Sequence, residues 1–234
     1  MALSDEAGRR QPFLRSPAVV IALIAVLLGA HAVRVVGFPR SGTGWFFEYG
    51  FVPARYSHAY LSAHGLYPGN VLERALPFVT YMFLHANWTH VAINCVWLLA
   101  FGPIVAARFR TLRFLLFFLL CGIAGAALHL ALNWGSDSPV IGASAAVSGL
   151  MAAGFRMLPS PDAPLAPILS PRILIWTALW VVVNVVAGLT GLGAGGQVEL
   201  VAWQAHLGGY AAGLLLAGPF DAVGRRRRSG GLPA

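Results

Sequence analysis

Residues 86–132 read ANWTHVAINCVWLLAFGPIVAARFRTLRFLLFFLLCGIAGAALHLAL. Two parts of this run, 86–106 and 112–132, each supply the roughly 20 mainly apolar residues that a helix needs to cross a bilayer. Arg108 and Arg110 stand between them and Arg113 at the start of the second, charges that belong at a water-facing turn. The run therefore reads as span, basic turn, span. Four further stretches, 17–36, 141–158, 173–192 and 202–220, have the same character. The 234-residue chain is 58% hydrophobic and only 10% charged, which excludes an ordinary soluble domain. The expectation is an all-α polytopic membrane protein. It has one membrane domain over 17–220, a short polar tail at 1–16 and a basic tail at 221–234. Span one has full bilayer length and no small-residue cleavage site after it, so it does not read as a signal peptide.

The net charge of +8 rests on arginine, since lysine is absent. Arg9, Arg10 and Arg15 precede span one, and Arg108, Arg110 and Arg113 separate spans two and three. Arg156 and Arg172 flank the connection between spans four and five, and Arg225 to Arg228 follow span six. With alternating spans all of these fall on one side, as the positive-inside rule demands, so both termini are expected to be cytoplasmic. The Arg225–Arg228 run reads as a topology anchor near anionic lipid, not as a nucleic-acid site. Cys95 and Cys121 sit in separate spans and form neither a disulfide framework nor a metal pattern.

The loop 37–75 is long, faces outward and is crowded with aromatics, among them Trp45, Phe46, Phe47, Tyr49, Phe51, Tyr56 and Tyr60. That density suits a structured segment at the membrane–water interface. The inner loop 159–172 holds five prolines and is expected to be extended. Span five carries Trp176, Trp180 and Asn184 and runs into the glycine-rich stretch 191–196. Span and stretch are expected to move as gate and cap.

Polar residues inside spans are costly and call for a reason. His90, Asn94, Ser144 and His206 stand near the outer ends of their spans. His90 and Asn94, four apart, share a helix face. They lack the second histidine and acid of a helical zinc site, but imidazole and amide can both donate to an oxyanion. Interhelical hydrogen bonding is the plainer use of such a pair. Ser144, in Gly142-Ala-Ser-Ala-Ala-Val-Ser-Gly149, lies where a helix begins, and its free N–H groups suit an anion. Ser148 is one turn deeper and lacks that advantage. His206 opens span six, and Gly209 and Gly213 behind it form a small-residue face that admits a close neighbour. Close packing on span four would bring His206 to Ser144. With no Asp or Glu inside a span, the serine mechanism on offer is a dyad whose histidine is oriented by packing. Arg108 and the other charges at helix ends are expected to snorkel. His85 and His129 are expected to order the helix start and to pack, and His31, His58 and His64 to lie near the outer interface.

Phe83-Leu-His-Ala-Asn-Trp-Thr-His-Val-Ala-Ile-Asn94 resembles the His-x-x-x-Asn motif of the rhomboid intramembrane proteases, with its upstream histidine. Gly142-Ala-Ser-Ala145 resembles that family's Gly-x-Ser-Gly motif, and Ala205-His206 with Gly209 and Gly213 its last-helix signature. The three occur in the family's order, and the resemblance covers roughly 17–220. It implies a six-transmembrane-helix rhomboid bundle of the bacterial inner-membrane type, with its active site toward the outer face. It implies Ser144 as nucleophile, His206 as base, and His90, Asn94 and the Ser144 N–H as the oxyanion hole. The implied substrates are single-span membrane proteins cut in or near the membrane, with no metal or cofactor. Ala145 stands where the family has glycine, and Ala106 near a frequent glutamate. Ala145 keeps open the alternative of a pseudoprotease that binds membrane clients without cutting them. A transporter fits the composition but lacks an intramembrane acid and an inverted repeat.

Overall fold

A computed structural model describes residues 16–38, 44–158, 160, 162–190 and 202–229, with backbone alone over 223–229. The glycine-rich stretch 191–196, Pro159 and Pro161, and most of the N-terminal tail lie outside the described residues, as do the side chains of Arg225–Arg228.

The regular secondary structure of the described residues is helical apart from one bridge pairing Phe51 with Val140. Helix α1 spans Ala18–Ala32 and ends in a π-turn, Val33–Gly37. The expected outer loop is a set of short helices: α2 (Gly44–Tyr49), a 3₁₀ turn (Pro53–Tyr56), α3 (His58–Ala63) and α4 (Val71–Ala75). Asn70 and Glu73 form a reciprocal capping box at the start of α4, with bonds of 3.0 and 2.9 Å. Then come α5 (Pro77–Thr80), a 3₁₀ turn (Tyr81–Phe83), α6 (Trp88–Leu132), α7 (Ser144–Met157), α8 (Pro171–Thr190) and α9 (Trp203–Ser229). By length and composition, three of the described helices could cross a membrane: Ala18–Gly37, Trp88–Leu132 and Pro171–Thr190.

Helix α6 is broken at Arg110, whose φ of 62° and ψ of 172° are not helical. Its two halves flank α7 side by side. Gly142, just before α7, meets His90 of the first half, while Ala145 meets Gly125 of the second; deeper in, Gly154 meets Phe101 and Gly149 meets Cys121. The basic turn expected between spans two and three is thus the point where the chain doubles back.

Helix α7 is the centre of the core, with nearly every residue buried. Alanine, glycine and serine make this feasible, because they let backbones approach closely. A Cβ on Gly209 would overlap the Ala145 carbonyl, and one on Gly213 the Gly149 carbonyl, so α9 lies almost against the backbone of α7. Helix α8 is peripheral; Ile173, Trp180 and Gly188 are its buried residues.

One expectation is corrected by the packing. Arg108 and Arg156 do not snorkel: both are 8% exposed. Arg108 makes a two-pronged ion pair with Asp221 at 2.7 and 2.9 Å and donates to the Ala163 carbonyl. Arg156 donates to the carbonyls of Ala166 and Leu214. Each guanidinium is hydrogen-bonded within the protein and ties these helix ends together instead of reaching for water. His31 is buried too, edge-on to Trp88 at 4.6 Å, whereas His58 and His64 are exposed. In the inner loop, Pro171 is the first residue of α8, a position that proline's missing N–H suits.

Candidate active site

The first half of α6 is set by local chemistry. Asn87 caps it, accepting from the His90 N–H at 2.8 Å. Arg34 reaches over from the end of α1 and donates to the carbonyls of His85 and Ala86, each at 3.1 Å. His90 and Asn94 then face inward from successive turns. The Ala86 N–H approaches His90 Nδ1 at 3.4 Å. A backbone N–H can only donate, so Nδ1 is bare and the proton sits on Nε2. Asn94 donates one amide hydrogen to the His90 carbonyl at 3.0 Å and keeps a second.

Ser144 is the first residue of α7, as its place after Gly142 anticipated. Gly142 has φ of 114°, a conformation that favours glycine, and its N–H bonds the Tyr81 carbonyl at 2.9 Å. A side chain here would also find no room, because a Cβ would come 2.7 Å from His90 Nε2 and 3.7 Å from Ser144 Oγ. The bareness of Gly142 therefore leaves open the space that those two atoms border. The N–H groups of the first turn of α7 have no intrahelical partner.

His206 projects from the first turn of α9. Its Nε2 lies 2.6 Å from Ser144 Oγ. Its Nδ1 lies 2.8 Å from Asn184 Oδ1 on α8. Ser148, the other serine of the segment, donates to the Ser144 carbonyl at 2.7 Å and is buried. The methyl of Ala145 packs over Gly125 beside the Ala205 carbonyl, in the α6–α7–α9 junction, and the residue is 1% exposed.

The four polar side chains singled out in the sequence thus meet at one place, and Asn184 joins them there. Asn184 was legible only as a polar residue within span five. They open onto a cavity of about 920 Å³ between the first half of α6 and α8, walled by Trp97, Phe101, Met151, Phe155, Trp176 and Trp180. An imidazole within hydrogen-bond reach of a hydroxyl can take its proton, and the donors beside it can hold a developing negative charge.

A helical chain with serine and histidine paired beside an apolar cavity defines a class of polytopic bundles with a polar site set into them. A family profile for the Rhomboid domain matches residues 72–220, well over half the chain. The chain belongs to the rhomboid family and is an integral membrane protein. It is similar to Rhomboid-like protein 11, chloroplastic, of Arabidopsis thaliana, with 32% identity over 141 residues. That alignment covers 59% of this chain and 50% of the relative, so the chain matches about half the length of that curated protein.

Proposed function

We propose that the chain is an intramembrane serine endopeptidase that cuts single-span membrane proteins in or near their membrane segment. The observation that carries this reading is the 2.6 Å contact of Ser144 Oγ with His206 Nε2 at the head of α7. In the reaction, Ser144 Oγ attacks the scissile carbonyl carbon and its proton passes to His206 Nε2. The carbonyl oxygen becomes an oxyanion and accepts from the Ser144 N–H, His90 Nε2–H and the free Asn94 hydrogen. Collapse breaks the C–N bond as His206 gives its proton to the leaving amine. Water, deprotonated by His206, then attacks the acyl-enzyme and releases Ser144.

The bundle we propose has six crossings: α1, the two halves of α6, α7, α8 and α9. Helix α7, at 14 residues, is only about 21 Å long. Its short reach sets Ser144 below the outer surface, where water in the cavity meets the membrane. Arg108, Arg113 and Arg156 gather at the opposite end, which supports a cytoplasmic position for that end under the positive-inside rule. The apolar, aromatic walls of the cavity suit a membrane segment entering between α6 and α8. Leu179 and Val183 line that cavity, while exposed Ile175, Val182, Val186 and Leu189 give α8 a surface that lipid covers.

The test is cleavage of a single-span substrate in liposomes by the full chain. Wild type should cut it, and Ser144→Ala and His206→Ala should not. Equal fragment yields from all three would remove the assignment. Binding of the substrate without cleavage by any of them would favour the client-binding reading.

A further inference from the structure

We propose that Asn184 is the third member of the site, a positioning residue that fixes the tautomer and the orientation of the base. The proposal rests on the protease reading above and assigns to α8 a part in its chemistry.

Hydrogen-bond direction carries the argument. Asn184 Nδ2 lies 3.0 Å from the Trp180 carbonyl oxygen, which can only accept. The amide hydrogens therefore point at Trp180, and Oδ1 is the atom that faces His206. Oδ1 can only accept, so His206 Nδ1, 2.8 Å away, carries the ring proton. Neutral imidazole has one ring proton, which leaves Nε2 bare and able to accept from Ser144 Oγ–H at 2.6 Å. Each link from Trp180 through Asn184 and His206 to Ser144 has one donor and one acceptor. No other assignment of the amide satisfies both of its ends. In the imidazolium that forms during reaction, Nδ1–H remains bonded to the same oxygen. An amide does here what a buried carboxylate does in soluble triads, without a charge in the membrane.

Asn184 also belongs to the seam that docks α8. Thr177 Oγ1 lies 3.0 Å from the Tyr210 hydroxyl, and Trp180 stacks on Tyr210 with ring centroids 4.1 Å apart. A Cβ on Gly188 would overlap the Trp203 ring. Residues 177, 180, 184 and 188 form one face of α8, opposed by 203, 206 and 210 of α9. Orientation of the base is thus a property of the docked helix.

Two readouts on full-length protein in nanodiscs test this. The first is ¹⁵N NMR of the histidine rings, with His206 assigned by comparison with His206→Ala. Wild type should carry its proton on Nδ1, and Asn184→Leu should move the population toward Nε2–H. The second is kinetics: Asn184→Leu should lower kcat by about 10–100-fold with KM little changed, the size seen for groups that orient an imidazole. Asn184→Asp keeps an acceptor and should restore most of the lost turnover, which a merely structural loss would not allow. A wild-type proton on Nε2, or a Leu variant with unchanged tautomer and kcat, would overturn the proposal. If wild type itself does not cleave, the protease reading falls, while the NMR comparison still decides whether Asn184 sets the tautomer.

Discussion

Ala145 is the residue at which this chain departs from its family beside the nucleophile. Its methyl fills space that Gly125 leaves bare, and the residue is 1% exposed. Ala145→Gly should therefore leave kcat/KM within about threefold. It should cost roughly 1–2 kcal/mol through a lost buried methyl and a helical glycine, read as a lowered unfolding midpoint in detergent. The proposed oxyanion donors should behave oppositely: His90→Ala or Asn94→Ala should each reduce turnover by about 10²–10³. These two line the cavity with Ser144, and stability should be the lesser effect. Arg110 gives a third expectation. Its φ of 62° strains an L side chain, and its side chain is exposed. Arg110→Gly should raise stability by about 1 kcal/mol, the relieved strain offset in part by a more flexible unfolded chain.

Among the elements, the α7–α9 contact decides whether a site exists. Glycine is required there for the backbone approach itself: Gly209 faces the Ala145 carbonyl and Gly213 the Gly149 carbonyl. Gly209→Ala should force the helices apart, cost about 1–3 kcal/mol as overpacking does, and move His206 away from Ser144. Gly29 on α1 is the control, with nothing within 4 Å of an added Cβ. Gly29→Ala should be neutral or stabilise by up to about 1 kcal/mol. Thermal unfolding and cleavage measured on both variants check the contrast, and equal losses would show that close approach is not what the glycines provide. The small-residue face was readable from Gly209 and Gly213 alone. The partner of Asn184 was not, because it depends on how α8 registers against α9 across a connection whose sequence fixes no geometry.

For the molecule as a whole, the serine and histidines gather at one end and the buried Arg108–Asp221 pair sits at the other. Ser144, His206, His90 and Asn94 were legible because a polar side chain in an apolar span needs a reason, and their spacings matched one family. The arginine end was misread. Arg108 looked like a snorkelling helix-end residue, and the acid that holds it, Asp221, lies 113 residues away on α9. Helix ends that converge only after folding leave no local pattern in the chain. Asp221→Asn should cost about 3 kcal/mol by leaving the buried guanidinium without its counter-charge, yet leave kcat of the folded fraction unchanged. A lowered kcat at unchanged stability would tie the inner clamp to catalysis instead.

The central claim is that His206 makes Ser144 a nucleophile, and a fluorophosphonate probe reads that directly. Full-length protein in membranes is treated with the probe, and the adduct is located by mass spectrometry. Wild type should carry one phosphonyl group, on Ser144. Ser144→Ala should carry none, and His206→Ala should label far more slowly. Folded wild type that stays unlabelled, or that carries the adduct on Ser148, would contradict the account.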